Sequence, residues 1–138
     1  MLTNKRPVLV QFGHCDPSGI VYNPNFFIWF DFSVHALLAR GGTSLKALIS
    51  EFGIDGIPVV GYQTKFLAPA RWGDELLIES SVANLRRSAF DIQHRVFNAD
   101  LLAVECTETR VCTAVDPQQG RVRARALPEK LVEAFRGL

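Results

Sequence analysis

A chain of 138 residues with a formal net charge of +1 suits one domain around one core, and it offers no large basic field for nucleic acid. Its hydrophobic fraction of 48% and charged fraction of 21% are those of a folded soluble protein, and without eighteen uninterrupted apolar residues no membrane span is expected. The opening "MLTNKRPVLV" lacks a signal peptide's long apolar segment, and Cys15, Cys106 and Cys112 lack metal-ligand spacing, so reduced thiols in a cytoplasmic protein are expected.

"VLVQF" (8–12) alternates and predicts a short strand, followed by a loop over 13–23. In "NPNFFIWFDFSVHALLAR" (23–40) Asn23 is a candidate N-cap, Pro24 takes the first helical position, and Gly41-Gly42 supplies the stop. This stretch is apolar nearly all round, which predicts a buried central helix. "SLKALISEFG" (44–53) predicts a shorter helix, capped by Ser44 and ended by Gly53.

From residue 58 the pattern becomes β-rich. Strands are predicted at 58–67, 75–85, 89–97 and 103–115, with a turn at "APARWGD" (68–74). Phe90, Ile92, His94 and Val96 share one face at the period of two. The short connections "RRS", "NADLL" and "DPQQG" make these strands antiparallel neighbours, and "PEKLVEAFRGL" (128–138) predicts a terminal helix. No repeat, linker or low-complexity tract interrupts residues 1–138, so a single α+β domain is expected, its five-stranded, mostly antiparallel sheet curled around one long helix.

The loop before that helix gathers the candidate chemistry. Asp16 precedes Pro17 and has an ordinary reading as a turn former. Its functional reading rests on position: a helix start at Asn23-Pro24 presents unpartnered N–H groups that can polarise a carbonyl. A nearby carboxylate, ionised at neutral pH, can then attack that carbonyl or activate water. Cys15 and His14 suggest a thiol with a base, but adjacent residues of an extended segment point to opposite sides. Asp31 and His35, four apart on the helix, can meet as a structural pair or as a polar handle in a substrate pocket; no third ligand joins them, so no metal is expected. Arg86-Arg87-Ser88 reads either as a solvated hairpin tip or as a phosphate site. The alternating Arg121, Arg123 and Arg125 form an exposed face or add to that site.

The run "FGHCDPSGIVYNPNFFIWFD" (12–31) resembles the signature of hotdog-fold acyl-CoA thioesterases, closest to the 4-hydroxybenzoyl-CoA thioesterase branch and shared in part with the Tol–Pal-associated thioesterases. "FLAPARWGDEL" (66–76) and "LRRSAF" (85–90) resemble that family's second recurring stretch and its basic hairpin. The resemblance implies a hotdog fold and hydrolysis of an acyl-CoA to a carboxylic acid and free CoA, without a cofactor. It implies Asp16 as nucleophile or general base and the Asn23 backbone amide as carbonyl polariser. It places Arg86 and Arg87 at the CoA phosphates; Ser88 beside them is expected to share that contact, and His14, Gly19, Tyr22 and Asp31 are expected at the substrate. It also implies a homodimer that assembles further into a homotetramer, with sites between subunits. Two positions depart from the 4-hydroxybenzoyl pattern: Asn23 stands where an aromatic residue is usual, and His14 where an acidic one is common. The alternative functions are a hotdog dehydratase or hydratase, and a non-catalytic acyl-CoA-binding protein.

Overall fold

The computed structural model describes residues 1–137. Strand β1 (Thr3–Leu9) leads through a short 3₁₀ turn at Phe12–His14 into helix α1 (Pro24–Arg40) and helix α2 (Leu45–Phe52). Strands β2 (Val59–Phe66), β3 (Glu75–Ala83), β4 (Ala89–Asn98) and β5 (Leu101–Val111) follow, then a small ribbon of β6 (Thr113–Val115) and β7 (Val122–Ala124), and helix α3 (Glu129–Arg136). The helix expected over 128–138 is present over Glu129–Arg136 and is ended by Gly137; Leu138 lies outside the described residues. Five strands form one antiparallel sheet in the order β1-β3-β4-β5-β2.

Local signals account for much of this. Ser44 Oγ accepts the Ala47 N–H at 3.0 Å and opens α2, and Gly53, with φ of +66°, closes it. Gly41 ends α1 where a Cβ would lie 3.0 Å from Leu2 Cδ2 and 3.1 Å from Ala134 Cβ, so a side chain there would disturb the contact with α3. The face predicted for β4 is realised: Phe90, Ile92, His94 and Val96 are all buried. They meet Phe30, Val34, Leu37 and Leu38 of α1, together with Leu76 and Ile78 of β3, in the core.

Several expectations are corrected. The first strand runs Thr3–Leu9 rather than 8–12. Pro7 lies inside it, which the sheet tolerates because β1 is an edge strand. Asn23 takes the N-cap position as expected, but its backbone is already helical and its side chain makes no capping bond. Pro24 has no N–H to offer, and the Asn25 N–H is given to the Tyr22 carbonyl at 2.9 Å, so the first turn leaves the Asn23 side chain no donor. The strand expected over 103–115 breaks at Cys112, whose N–H goes to Ser88 O and whose carbonyl takes the Arg125 N–H, both at 2.8 Å. β6 then pairs with β7, the segment of alternating arginines. Finally, α1 is not covered on every side. Phe26, Trp29, Phe30, Ser33, Val34, Leu37 and Leu38 are buried, but Ile28 and Phe32 are each 53% exposed. One curled sheet covers one side of a helix and leaves the other open.

Candidate active site

The loop between β1 and α1 is a set of nested turns tied at both ends. The Gln11 N–H donates to His14 Nδ1 at 2.9 Å, and the His14 ring packs edge-on against Trp29 at 5.0 Å. The His14 carbonyl accepts the Tyr22 N–H at 2.9 Å and Asn25 Nδ2 at 2.8 Å, which closes the loop onto the start of α1. Inside this frame the Asp16 N–H donates to Ile20 O and the Gly19 N–H to Asp16 O. Gly19 has φ of +83°, a left-handed geometry that a side chain would strain. The Val21 N–H bonds to Ala70 O at 2.8 Å, docking the loop on the turn before β3. That turn is held by Asp74, whose Oδ2 accepts the Arg71 N–H and Asn98 Nδ2, each at 2.8 Å.

Asp16 is half-buried. Its Oδ1 accepts both the Ser18 N–H, at 2.9 Å, and the Ser18 hydroxyl, so one oxygen anchors the carboxylate. Among the described residues Oδ2 has no hydrogen-bond partner. The side chain lines a cavity of about 480 Å³ with Phe12, Cys15, Pro17, Gly19 and Trp72. Phe12 and Trp72 stand edge to face at 5.3 Å on its rim and are highly exposed. The Asn23 amide N–H also has no partner among the described residues, and Asn23 lines a second cleft, of about 350 Å³, with Ile20, Phe26 and Phe66. His14, Asp16, Gly19, Tyr22 and Asn23 all belong to this one loop, in which Asp16 and Gly19 line one depression and Asn23 lines another. Cys15 is not paired with the histidine: its Sγ lies 3.8 Å from the Gln11 carbonyl, while His14 Nδ1 accepts the Gln11 N–H.

Asp31 lies further along α1 in another setting. Its Oδ1 accepts Arg110 Nη2 at 2.9 Å and its Oδ2 lies 3.9 Å from His35 Nε2, the meeting that their spacing predicts. Arg110 opens onto a chain of buried polar groups that the sequence reading did not single out. Its Nε donates to Glu108 Oε2 at 2.9 Å, Glu108 Oε1 meets His94 Nε2, and His94 Nδ1 lies 2.7 Å from Ser80 Oγ. The His94 ring stacks on Phe30 at 4.5 Å. Burial opposes the Arg110 charge, but Glu108 and Asp31 outweigh it and raise the guanidinium above its ordinary pKa. Ser80, His94 and Glu108 have the order of a nucleophilic triad, yet Ser80 is 1% exposed and no substrate reaches it.

The Arg86-Arg87-Ser88 turn sits at the far end of β3 from Asp16. The nine residues of β3 span about 26 Å at ~3.3 Å per residue, so one chain does not bring the basic turn to the carboxylate. Within the turn the arginines differ. Arg86 Nη2 binds Asp91 Oδ1 at 2.9 Å, whereas the exposed Arg87 side chain has no ion-pair partner among the described residues. The Ser88 carbonyl accepts the Cys112 N–H. The three cysteines are free thiols, and burial pushes Cys106 up to about 11, against a hydrogen bond from Thr64. Among the described residues no cluster of three or more His, Cys, Asp or Glu is arranged to hold a metal ion.

Residues 10–135 match the family model described as the thioesterase-like superfamily. The 4-hydroxybenzoyl-CoA thioesterase of Pseudomonas sp. (strain CBS-3) is 31% identical over 130 residues, covering 90% of this chain and 91% of that protein. The acyl-CoA thioester hydrolase YbgC of Escherichia coli O6:H1 is 27% identical, covering 94% and 93%. A crystal structure of an aspartate-to-asparagine variant of 4-hydroxybenzoyl-CoA thioesterase, complexed with 4-hydroxybenzoyl-CoA, superposes with a TM-score of 0.89 at 28% identity, over 98% of this chain and 99% of that one. With the same sheet curled around the same helix, the chain belongs to the thioesterase-like superfamily and has its hotdog fold.

Proposed function

We propose that the protein is an acyl-CoA thioester hydrolase in which Asp16 is the catalytic carboxylate. The observation that carries this reading is the state of that side chain: Oδ1 is anchored by Ser18 while Oδ2 is unpartnered in a cavity. That is the arrangement a nucleophile or general base needs. The solved relative complexed with 4-hydroxybenzoyl-CoA carries an aspartate-to-asparagine change, which fits an aspartate in that role.

Two routes use the same residues. In the first, an Asp16 oxygen attacks the thioester carbon, the C–S bond breaks, CoA leaves as thiolate and is protonated by solvent, and water hydrolyses the resulting mixed anhydride. In the second, Asp16 takes a proton from water, whose hydroxide adds to the carbonyl before the thiolate departs. In both, negative charge grows on the carbonyl oxygen, and the free Asn23 N–H at the start of α1 is the donor suited to it. His14, Gly19 and Tyr22 shape the loop around the substrate, and Asp31 offers an acceptor at the acyl end.

Arg87, with Ser88, is assigned to the CoA phosphates, and Arg86 to the shape of the turn. Because Asp16 and the turn lie at opposite ends of β3, the complete site is assigned to a homodimer, with further assembly to a tetramer. The exposed Ile28 and Phe32 on α1, and the exposed Val60, Tyr62 and Phe66 on the edge strand β2, give such contacts an apolar surface. Three free thiols suit a cytoplasmic setting, and no helix is long and apolar enough to cross a membrane.

The hydratase alternative asks for a histidine base, and His14 Nδ1 is already engaged with a backbone amide. A thiol-release assay over aliphatic and aromatic acyl-CoAs tests the reading. Release of free CoA from at least one ester is expected; tight binding of the esters without release would leave an acyl-CoA-binding protein instead.

A further inference from the structure

We infer that the neutral His14 imidazole is a positioning residue that clasps the loop carrying Asp16, and that its protonation opens this loop and slows hydrolysis in mild acid. The inference rests on the thioesterase reading above.

His14 ties the loop through both its ring and its backbone. Nδ1 accepts the Gln11 N–H at 2.9 Å, so the ring proton is on Nε2 and the imidazole is neutral. The ring packs edge-on at 5.0 Å against Trp29, a buried residue of α1. The His14 carbonyl accepts the Tyr22 N–H and Asn25 Nδ2. One residue thus joins the start of the loop, its far end and the helix. Asp16 follows two residues later, and Tyr22 leads directly into Asn23, whose N–H is the donor assigned to the carbonyl oxygen. The placement of both groups depends on the His14 tie. The turn itself asks only for an acceptor three residues after Gln11, a place that an amide or carboxylate oxygen fills in most capping boxes. Such an oxygen would keep the Gln11 N–H in mild acid; a histidine gives it up.

A second proton on this ring goes to Nδ1. Two N–H groups would then face each other across 2.9 Å with no acceptor between them, so the tie to Gln11 breaks. Little around the ring compensates the charge. Its contacts are to its own loop and to α1. From α1 come Trp29 and Asn25, neither of which titrates. The loop brings Cys15, Asp16 and Tyr22, and Asp16 Oδ1 is already given to Ser18. The histidine ion pairs among the described residues are those of His35 with Asp31 and of His94 with Glu108. His14 is half-buried, so protons from solvent reach it. Histidine side chains ordinarily change charge between about pH 5 and 8, which places the opening in mild acid.

The test is the pH profile of kcat/KM for an acyl-CoA that the full chain hydrolyses, with free CoA quantified by chromatography, in the unmodified protein, His14→Asn and His14→Phe. Asparagine carries an oxygen on the carbon that bears Nδ1 in histidine, so it accepts without titrating; phenylalanine keeps a ring for Trp29 but accepts nothing. The unmodified protein should lose about tenfold or more between about pH 7.5 and pH 5. His14→Asn should flatten that limb, and His14→Phe should be low at both ends. The quantity read is the shape of each profile, not its height. A limb that survives in His14→Asn belongs to Asp16, His35 or His94 and overturns this inference alone, as does an unmodified protein with no such limb or a His14→Phe profile that matches it. Should a variant fail to fold, the Gln11 amide resonance of the unmodified protein, followed by NMR without substrate, should shift over the pH range of the activity limb; a fixed resonance overturns the inference. If no acyl-CoA releases thiol at any pH, the thioesterase reading fails and takes this one with it.

Discussion

Arg86 reaches across the turn between β3 and β4 to put Nη2 2.9 Å from Asp91 Oδ1, and Asp91 also accepts from Asn84 Nδ2 at 2.9 Å and Thr109 Oγ1 at 2.7 Å. Burial would raise the pKa of Asp91, but hydrogen bonds from Arg86, Thr109 and Asn84 outweigh it and lower it to about 2. The unfolded chain, with an ordinary aspartate near 3.8, therefore binds the proton first as pH falls. The stabilisation is fully present above that value and is lost as pH drops through about 2. Its size is about 1–2 kcal/mol, discounted because Arg86 is half exposed. Thermal melts from pH 7 to pH 2 should show Asp91→Asn less stable than the unmodified chain at pH 7, with the gap closing toward pH 2. A gap independent of pH would contradict this.

The same contact separates the two arginines. Arg87→Ala should raise KM for an acyl-CoA about tenfold or more, leave kcat nearly unchanged and barely move Tm. Arg86→Ala should lower Tm by several degrees, since it strips a partner from the buried Asp91. With acyl-pantetheine, which lacks the nucleotide phosphates, the Arg87→Ala defect should shrink. A defect of equal size on both substrates would make Arg87 structural as well.

Ile28 and Phe32 make a third expectation concrete. Two large apolar side chains exposed on the central helix predict that the active species is a dimer or larger. Sedimentation at micromolar concentration, with activity followed in the same samples, checks it; a fully active monomer would contradict it.

These residues also mark how far the sequence alone could be read. Pro24, the Gly41-Gly42 pair, Ser44 and Gly53 act through their own backbone preferences, so the ends of both early helices were legible. The buried face of β4 followed from its period of two. The position of β1 did not, because "KRP" reads as a strand only once Pro7 is known to lie at a sheet edge. The break at Cys112 depends on Ser88 and Arg125, distant partners that no local pattern announces. Glu108 and Arg110 alternate with Thr107 and Thr109, so a period-two signal was present, but either face of "CTETRV" could have pointed inward. At the hairpin, Arg86 and Arg87 are indistinguishable until Asp91 selects one of them.

The catalytic role of Asp16 is tested most directly by steady-state kinetics of thiol release for Asp16→Asn, with Cys15→Ala measured alongside. Asparagine retains an oxygen for the Ser18 bonds, so fold and substrate affinity should survive while the basic oxygen is lost. The expected result is a fall in kcat of about 10²-fold or more with KM little changed, and most activity retained in Cys15→Ala. A near-normal kcat for Asp16→Asn would contradict the account, and an inactive Cys15→Ala beside it would move the chemistry to the thiol.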